Sequence, residues 1–273
     1  MTAAFTTEPG ASRGVLPRFA QSRATLTIVG LVVGAAIWEV LGLTHVSRFL
    51  PPIHSVFARV IDLWRTGQLR QPLTESVRNL VIGYAFSATV GVLIGTLMAV
   101  SKYVDYALRV YVNALMATPS ILLVPVLYVI WGLSSFTLIA VIVLYTTVFV
   151  VANTRTAVSG ARHDLSEMAK AFGAGATGGF FGVTLRSAGP EIFAGLRLGM
   201  GRAVKGMFNG ELLIAVVGLA HLDRTFAGAF DATGILAIAL VILMIAVILT
   251  GLLEFVNRTL NSWALGGSQR PQS

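Results

Sequence analysis

The sequence predicts an all-α membrane protein of about six transmembrane helices, and three observations carry that prediction. Of its 273 residues 55% are hydrophobic and only 12% are charged, about half the charged share of an ordinary soluble domain. Mean hydropathy is +0.80. The apolar residues are gathered into runs of roughly twenty, the length a helix rising ~1.5 Å per residue needs to cross a hydrocarbon core ~30 Å thick. A soluble fold of this length could not hide so much apolar surface, whereas lipid accepts it on every outward side.

Taken in order, residues 1–23 are polar, with Arg13, Arg18 and Arg23 just ahead of the first apolar run. They read as a disordered tail, as do residues 264–273. The run 24–43 is longer than the 7–15 residues of a signal-peptide core, so it reads as a retained first span. Spans are expected at 25–43, 80–100, 108–131, 136–151, 195–217 and 235–255. Pro119 and Pro125 interrupt the third and predict a broken helix there. Arg197, Arg202 and Lys205 crowd the start of the fifth, whose apolar part begins near Met207.

Between the first two spans, Val56, Phe57, Val60, Ile61 and Trp64 share one helical face, with Arg59, Asp62 and Arg65 elsewhere. This pattern predicts an amphipathic helix at the membrane interface, its arginines toward lipid headgroups. The hydrophilic stretch 153–191 is far longer than the usual 2–8 residue connection. It carries a helix signature: Asp164 or Ser166 as N-cap, Glu167 in the first turn, Lys170 later and Gly173 as terminator. A second helical stretch is expected at 180–185, and Pro190 is expected to open the fifth span.

With the N-terminus inside, eleven basic residues fall on the cytoplasmic side and six outside, which favours that orientation. The net charge of +8 therefore reflects orientation, and no basic block with interleaved aromatics supports nucleic-acid binding. There is no cysteine, and the four histidines are scattered, so disulfides and thiolate metal sites are excluded. Neither G-x-x-x-x-G-K-[ST] nor a metalloprotease or nucleophile-elbow motif occurs. The chain cannot cradle ATP itself, so any nucleotide-driven work needs another polypeptide.

Ionisable and polar residues within spans are functional candidates. Glu211, beside Asn209, lies deep in the fifth span and calls for a lysine or arginine partner or a place on a pathway. Asn113, Thr118 and Ser120 flank the broken third span and could line a polar route. Arg197, Arg202 and Lys205 could give such a route a favourable potential for an anion, or anchor the end of the span.

The stretch Glu167-Met168-Ala169-Lys170-Ala171-Phe172-Gly173 resembles the EAA loop of ABC-importer permeases, E-A-A, three residues, G, nine residues, I-x-L-P. Counting from Gly173 places Val183, Leu185 and Arg186 at the isoleucine, leucine and proline. Pro190-Glu191-Ile192-Phe193-Ala194-Gly195-Leu196-Arg197 is similar to the P-x-I-x-x-G-L-R segment of the nitrate/sulfonate/taurine/bicarbonate branch. Phe49-Leu50-Pro51-Pro52 is similar to its F-L-P-S-P segment. The resemblance covers roughly residues 28–263. Met168 and Arg186 depart from the pattern, and glycines at 175, 178, 179 and 182 predict a looser second half, each costing a helix about 1 kcal/mol relative to alanine.

The resemblance implies a type I importer permease in a bacterial inner membrane, with a permease domain at 24–263 and a cytoplasmic coupling loop at 154–190. Its implied partners are a P-loop ATPase dimer holding ATP and Mg²⁺, an extracytoplasmic binding protein, membrane lipid, and a second permease copy, identical or different. It implies a small solute such as an oxyanion. Glu167 would face the ATPase groove, Ala169 would allow close approach, and Lys170 and Gly173 would complete the coupling helix. The rival reading is an ion-gradient-driven secondary transporter, which also uses broken helices and intramembrane acids.

Overall fold

The computed structural model describes residues 23–44, 49–161, 168, 171, 173, 175–214 and 218–260. They form two units, residues 1–56 and 57–273, each described by itself. In the first, α1 (Arg23–Leu43) coincides with the expected first span. Its far end is fastened to the segment that follows: the Trp38 indole donates to the Pro51 carbonyl (3.1 Å). The Glu39 carboxylate accepts from the His54 amide (3.3 Å) and meets the ring at Nδ1 (2.5 Å). Pro51 and Pro52 then lead into α2 (Ile53–Arg65).

In the second unit Leu63 of α2 is buried, while Phe57, Ile61 and Trp64 form an exposed apolar stripe at i, i+4, i+7, the pattern of a helix lying in an interface. Arg59 does not face outward as expected. It bridges Asp62 (3.0 Å) and Asp231 (3.2 Å) and lies over the Phe226 ring at 5.3 Å. The remaining elements are α3 (Arg70–Val100), α4 (Lys102–Ala117), α5 (Val124–Trp131), α6 (Ser135–Ser159), α7 (Leu185–Ile214), α8 (Leu219–Gly228) and α9 (Ala232–Leu260).

Four helices, α1, α3, α6 and α9, are long and apolar enough to cross a membrane. The pair α4–α5, bent by 98°, is together long and apolar enough for a fifth. The break falls at Pro119, as the sequence predicts; a 3-10 turn, Ser120–Leu123, leads into α5. With 30 residues, α7 is long enough yet too charged to qualify by composition. It nevertheless runs antiparallel along α6: Gly195 lies against Asn153, Gly206 against Tyr145 and Gly210 against Leu138. It therefore crosses whatever α6 crosses.

Helix α6 is the axis of the unit. On one side the parallel α3 presents Gly83, Gly91 and Gly95; on the other α7 presents Gly195, Gly199, Gly206 and Gly210. At Gly95 an added Cβ would stand 2.6 Å from the Val151 carbonyl oxygen, so backbone meets backbone there. Lipid tails are as apolar as leucine, so helices in a bilayer associate by such close packing rather than by the hydrophobic effect. The Tyr84 hydroxyl, donating to the Leu196 carbonyl (2.9 Å), and the Tyr128 hydroxyl, donating to Gly210 (2.8 Å), tie α3 and α5 to α7.

Two boundaries differ from the sequence reading. Helix α3 begins ten residues before its apolar run, and α7 begins at Leu185, with Pro190 inside it. A π-turn at Phe180–Thr184 precedes α7. Pro190 forgoes one hydrogen bond, to the carbonyl of Arg186. The residue before it, Gly189, has no Cβ to clash with the proline ring, which lets the helix continue.

Candidate functional site

The break in α4–α5 opens a recess of about 340 Å³ lined by Met116, Thr118, Pro119, Ser120, Tyr145, Arg202 and Asn209 among others. Three helices build it. Pro119 cannot continue α4, so the chain swings away and leaves Thr118 and Ser120 at the corner. From α6 comes Tyr145 and from α7 Arg202 and Asn209. The Asn209 amide donates to the Tyr145 hydroxyl at 3.4 Å, and the Arg202 guanidinium lies 4.6 Å from the Phe149 ring centre. The expected polar residues Thr118, Ser120 and Asn209 thus meet in one place. Asn113 does not join them; it sits on the exposed surface of α4, about a turn before the lining residues.

The charges of α7 separate into three groups. Near the loop-proximal end, Arg197 pairs with Glu254 of α9 (3.1 Å), which also holds Arg258 (3.0 Å). At mid-height Arg202 and Lys205 are exposed, and among the described residues no carboxylate pairs with either. A cation facing lipid at that depth costs about 2.5–3.5 kcal/mol on insertion-derived scales. That face of α7 therefore belongs against water or another protein surface. Near the far end Glu211 is fully buried.

The partner of Glu211 is not the lysine or arginine that its depth suggested. Its Oε1 accepts from the Ser76 hydroxyl (2.5 Å) and its Oε2 from the Ala220 amide (3.2 Å), while Ser76 Oγ accepts from the Leu219 amide (2.9 Å). Together these oxygens satisfy orphan amides at the start of α8, where partial positive charge favours an anion. Gly218, with φ +86°, packs its α-carbon so tightly on the carboxylate that a Cβ would collide with it. Glu211 thus knots α3, α7 and α8 together and does not open onto the recess.

At the opposite end, α6 stops at Ser159 and the 154–190 loop begins. Asp105, in the first turn of α4, is buried and bound by two arginines. Arg155 of α6 donates through Nε (2.5 Å) and Nη2 (3.1 Å), and Arg109 closes the other side. The clasp joins the last turns of α6 to the helix that leads to the recess. Within the loop Met168 and Ala171 are helical and exposed, and Gly173 has φ +82°, the left-handed conformation that ends a helix. Glu167, Ala169 and Lys170 lie outside the described residues, as do the two tails.

A family model described as "Binding-protein-dependent transport system inner membrane component" matches residues 91–262. The chain belongs to that family. It is the membrane-embedded permease subunit of an ATP-driven importer, coupled to a separate ATPase and served by a substrate-binding protein. The family comprises transport permeases rather than enzymes, and the ion-gradient reading falls away. The permease is similar to the taurine transport system permease protein TauC of Escherichia coli, 28% identical over 247 residues, 88% of this chain and 90% of that one. It is similar to the formylaminopyrimidine transport permease protein ThiX of Halalkalibacterium halodurans, 26% identical over 228 residues, 83% and 91%. The nitrate import permease protein NrtB of Synechococcus elongatus is 23% identical over 204 residues, 71% and 73%. In fold the permease resembles a chain of the MetNI methionine ABC transporter in inward-facing conformations. The TM-score is 0.61 at 17% identity, covering 70% of this chain and 94% of that one.

Proposed function

We propose that two copies of this permease enclose one translocation pathway for a small solute, and that the ATPase grips each copy at residues 167–173. The relatives named for taurine, aliphatic sulfonates and nitrate favour a small solute that carries an oxyanion group. ATP and Mg²⁺ are held by the partner ATPase. The N-terminus is cytoplasmic, on the same side as the 154–190 loop, in line with the even number of crossings and the basic residues around that loop. One kind of permease suffices if the dimer is symmetric; pairing with a second, different permease is the alternative outcome of co-purification.

The observation that carries this reading is the break in α4–α5, set beside a charged helix and joined through the Asp105–Arg155 clasp to the root of the loop. A push on the loop reaches the recess through rigid helices rather than through flexible chain. Moving an inward/outward equilibrium from 1:99 to 99:1 takes about 5.5 kcal/mol of differential binding, which one small solute does not supply and nucleotide-driven ATPase closure does. Replacing Glu167 with alanine in the reconstituted importer is expected to leave ATPase turnover but abolish the uptake it drives. Uptake at the unmodified rate would refute the docking assignment.

A further inference from the structure

We propose that the exposed face of α7 carrying Arg202, Lys205 and Asn209 is the surface that reads the solute, and that the group it recognises is a small oxyanion such as a sulfonate or nitrate. The inference rests on the permease reading and adds the place and chemistry of recognition. The three residues fall at i, i+3 and i+7, so they share one side of the helix, a stripe that flanks the glycine row Gly195, Gly199, Gly206 and Gly210 and borders α6 at Phe149 and Tyr145. Arg202 and Asn209 line the recess at the helix break. Lys205 lies between them, exposed.

The local chemistry is one-sided. Arg202 rests on Phe149, a ring that attracts the cation but accepts none of its five N–H groups in the plane of the fork. Among the described residues it makes no hydrogen bond to a protein acceptor. The Asn209 amide is spent on the Tyr145 oxygen, which leaves the Tyr145 proton to donate onward. The acids of the same helix are elsewhere. Glu211 is enclosed in the knot with Ser76 and Ala220, and Glu191 lies eleven residues from Arg202, about 16 Å along the helix. A wall offering a guanidinium, an ammonium and a phenol proton, with no carboxylate beside them, attracts anions and repels cations.

The absence of cysteine from the chain gives a direct test. In the complete importer, permease with ATPase in lipid nanodiscs, Ser120→Cys places one thiol in the recess and Phe230→Cys one at an exposed reference site. Each is titrated with anionic sulfonatoethyl methanethiosulfonate and with its cationic trimethylammonium counterpart. The anion-to-cation rate ratio at Ser120→Cys is expected to exceed the reference ratio roughly tenfold or more. Adding Arg202→Gln and Lys205→Gln should return it to the reference value, whereas Arg202→Lys should preserve it. Excess methanesulfonate should slow the anionic reagent. Equal ratios, a cationic preference or no reaction with either reagent would overturn the proposal. Co-purifying ATPase activity is measured on the same samples. A flat ratio with coupled ATPase refutes the anion surface alone; a steep ratio without bound ATPase refutes the coupling reading alone.

Discussion

Two adjoining stripes of α7 are built by opposite rules. One is glycine and takes α6 side chains directly against its backbone; the other carries Arg202, Lys205 and Asn209 and borders the recess. The first gains from packing that only the removal of side chains permits. The second keeps charges that neither lipid nor a close-packed interface would tolerate unpaired. One helix thus serves as a rigid strut and as the wall of a polar route, and a substitution should matter according to the face it falls on.

The largest effect is expected on the strut face. A Gly206→Leu change drives new atoms into Tyr145 and the backbone at Ile142 and should cost about 3 kcal/mol, the upper range for overpacking. Gly201→Leu, five residues earlier, meets nothing within 4 Å and should be neutral or slightly stabilising through helix propensity. Thermal unfolding of the purified permease in one detergent measures both; equal losses would erase the distinction between the faces.

The knot at the far end of α7 comes next. Glu211→Ala strips acceptors from the Ser76 hydroxyl and the Ala220 amide, a loss of about 2 kcal/mol, whereas Glu211→Gln keeps an oxygen in place and should lose less. The same unfolding assay ranks them, and a reversed order would rule out the capping role. Asp105→Asn removes the charge that holds Arg155 and Arg109. It is expected to lower the uptake obtained per ATP severalfold with little change in expression, read as the ratio of transport to hydrolysis in proteoliposomes. The smallest effect belongs to Arg197→Ala. Its ion pair with Glu254 is partly exposed, and Glu254 keeps Arg258 as a second partner; such pairs add little, so neither unfolding temperature nor uptake should move measurably.

Much of this architecture is legible in the sequence because lipid exposure writes itself as apolar runs. The spans now seen as α1, α6 and α9, the break at Pro119 and the amphipathic stripe of α2 all follow from run length, proline and periodicity. What hydropathy misses is packing. Helix α7 is only partly apolar because α6 covers its glycine row and a polar recess adjoins the stripe beside it. Its length and its passage through Pro190 could not be read from an apolar window. Helix α8 is too short and polar to stand out.

The candidate site was legible in pieces: Thr118, Ser120 and Asn209 were recognisable as polar residues within spans, but not as neighbours. Glu211 drew notice for its depth in a span, and its partners, a serine 135 positions away and a backbone amide nine positions on, carry no sequence signal. The glycine faces did carry one: G-x-x-x-G at 91–95, 195–199 and 206–210, the spacing that lets two helices touch.

Coupled import depends on a nucleotide-driven subunit seizing the 154–190 loop, a contact open to site-directed cross-linking. Met168→Cys, exposed in the loop, and Phe230→Cys, exposed at the other end of the bundle, are placed one at a time in the cysteine-free chain and treated with a short bifunctional reagent in membranes that contain the ATPase. Such a contact yields a covalent adduct with the ATPase from Met168→Cys and none from Phe230→Cys. An adduct from Phe230→Cys, or none from Met168→Cys in a complex that still co-purifies, would contradict it.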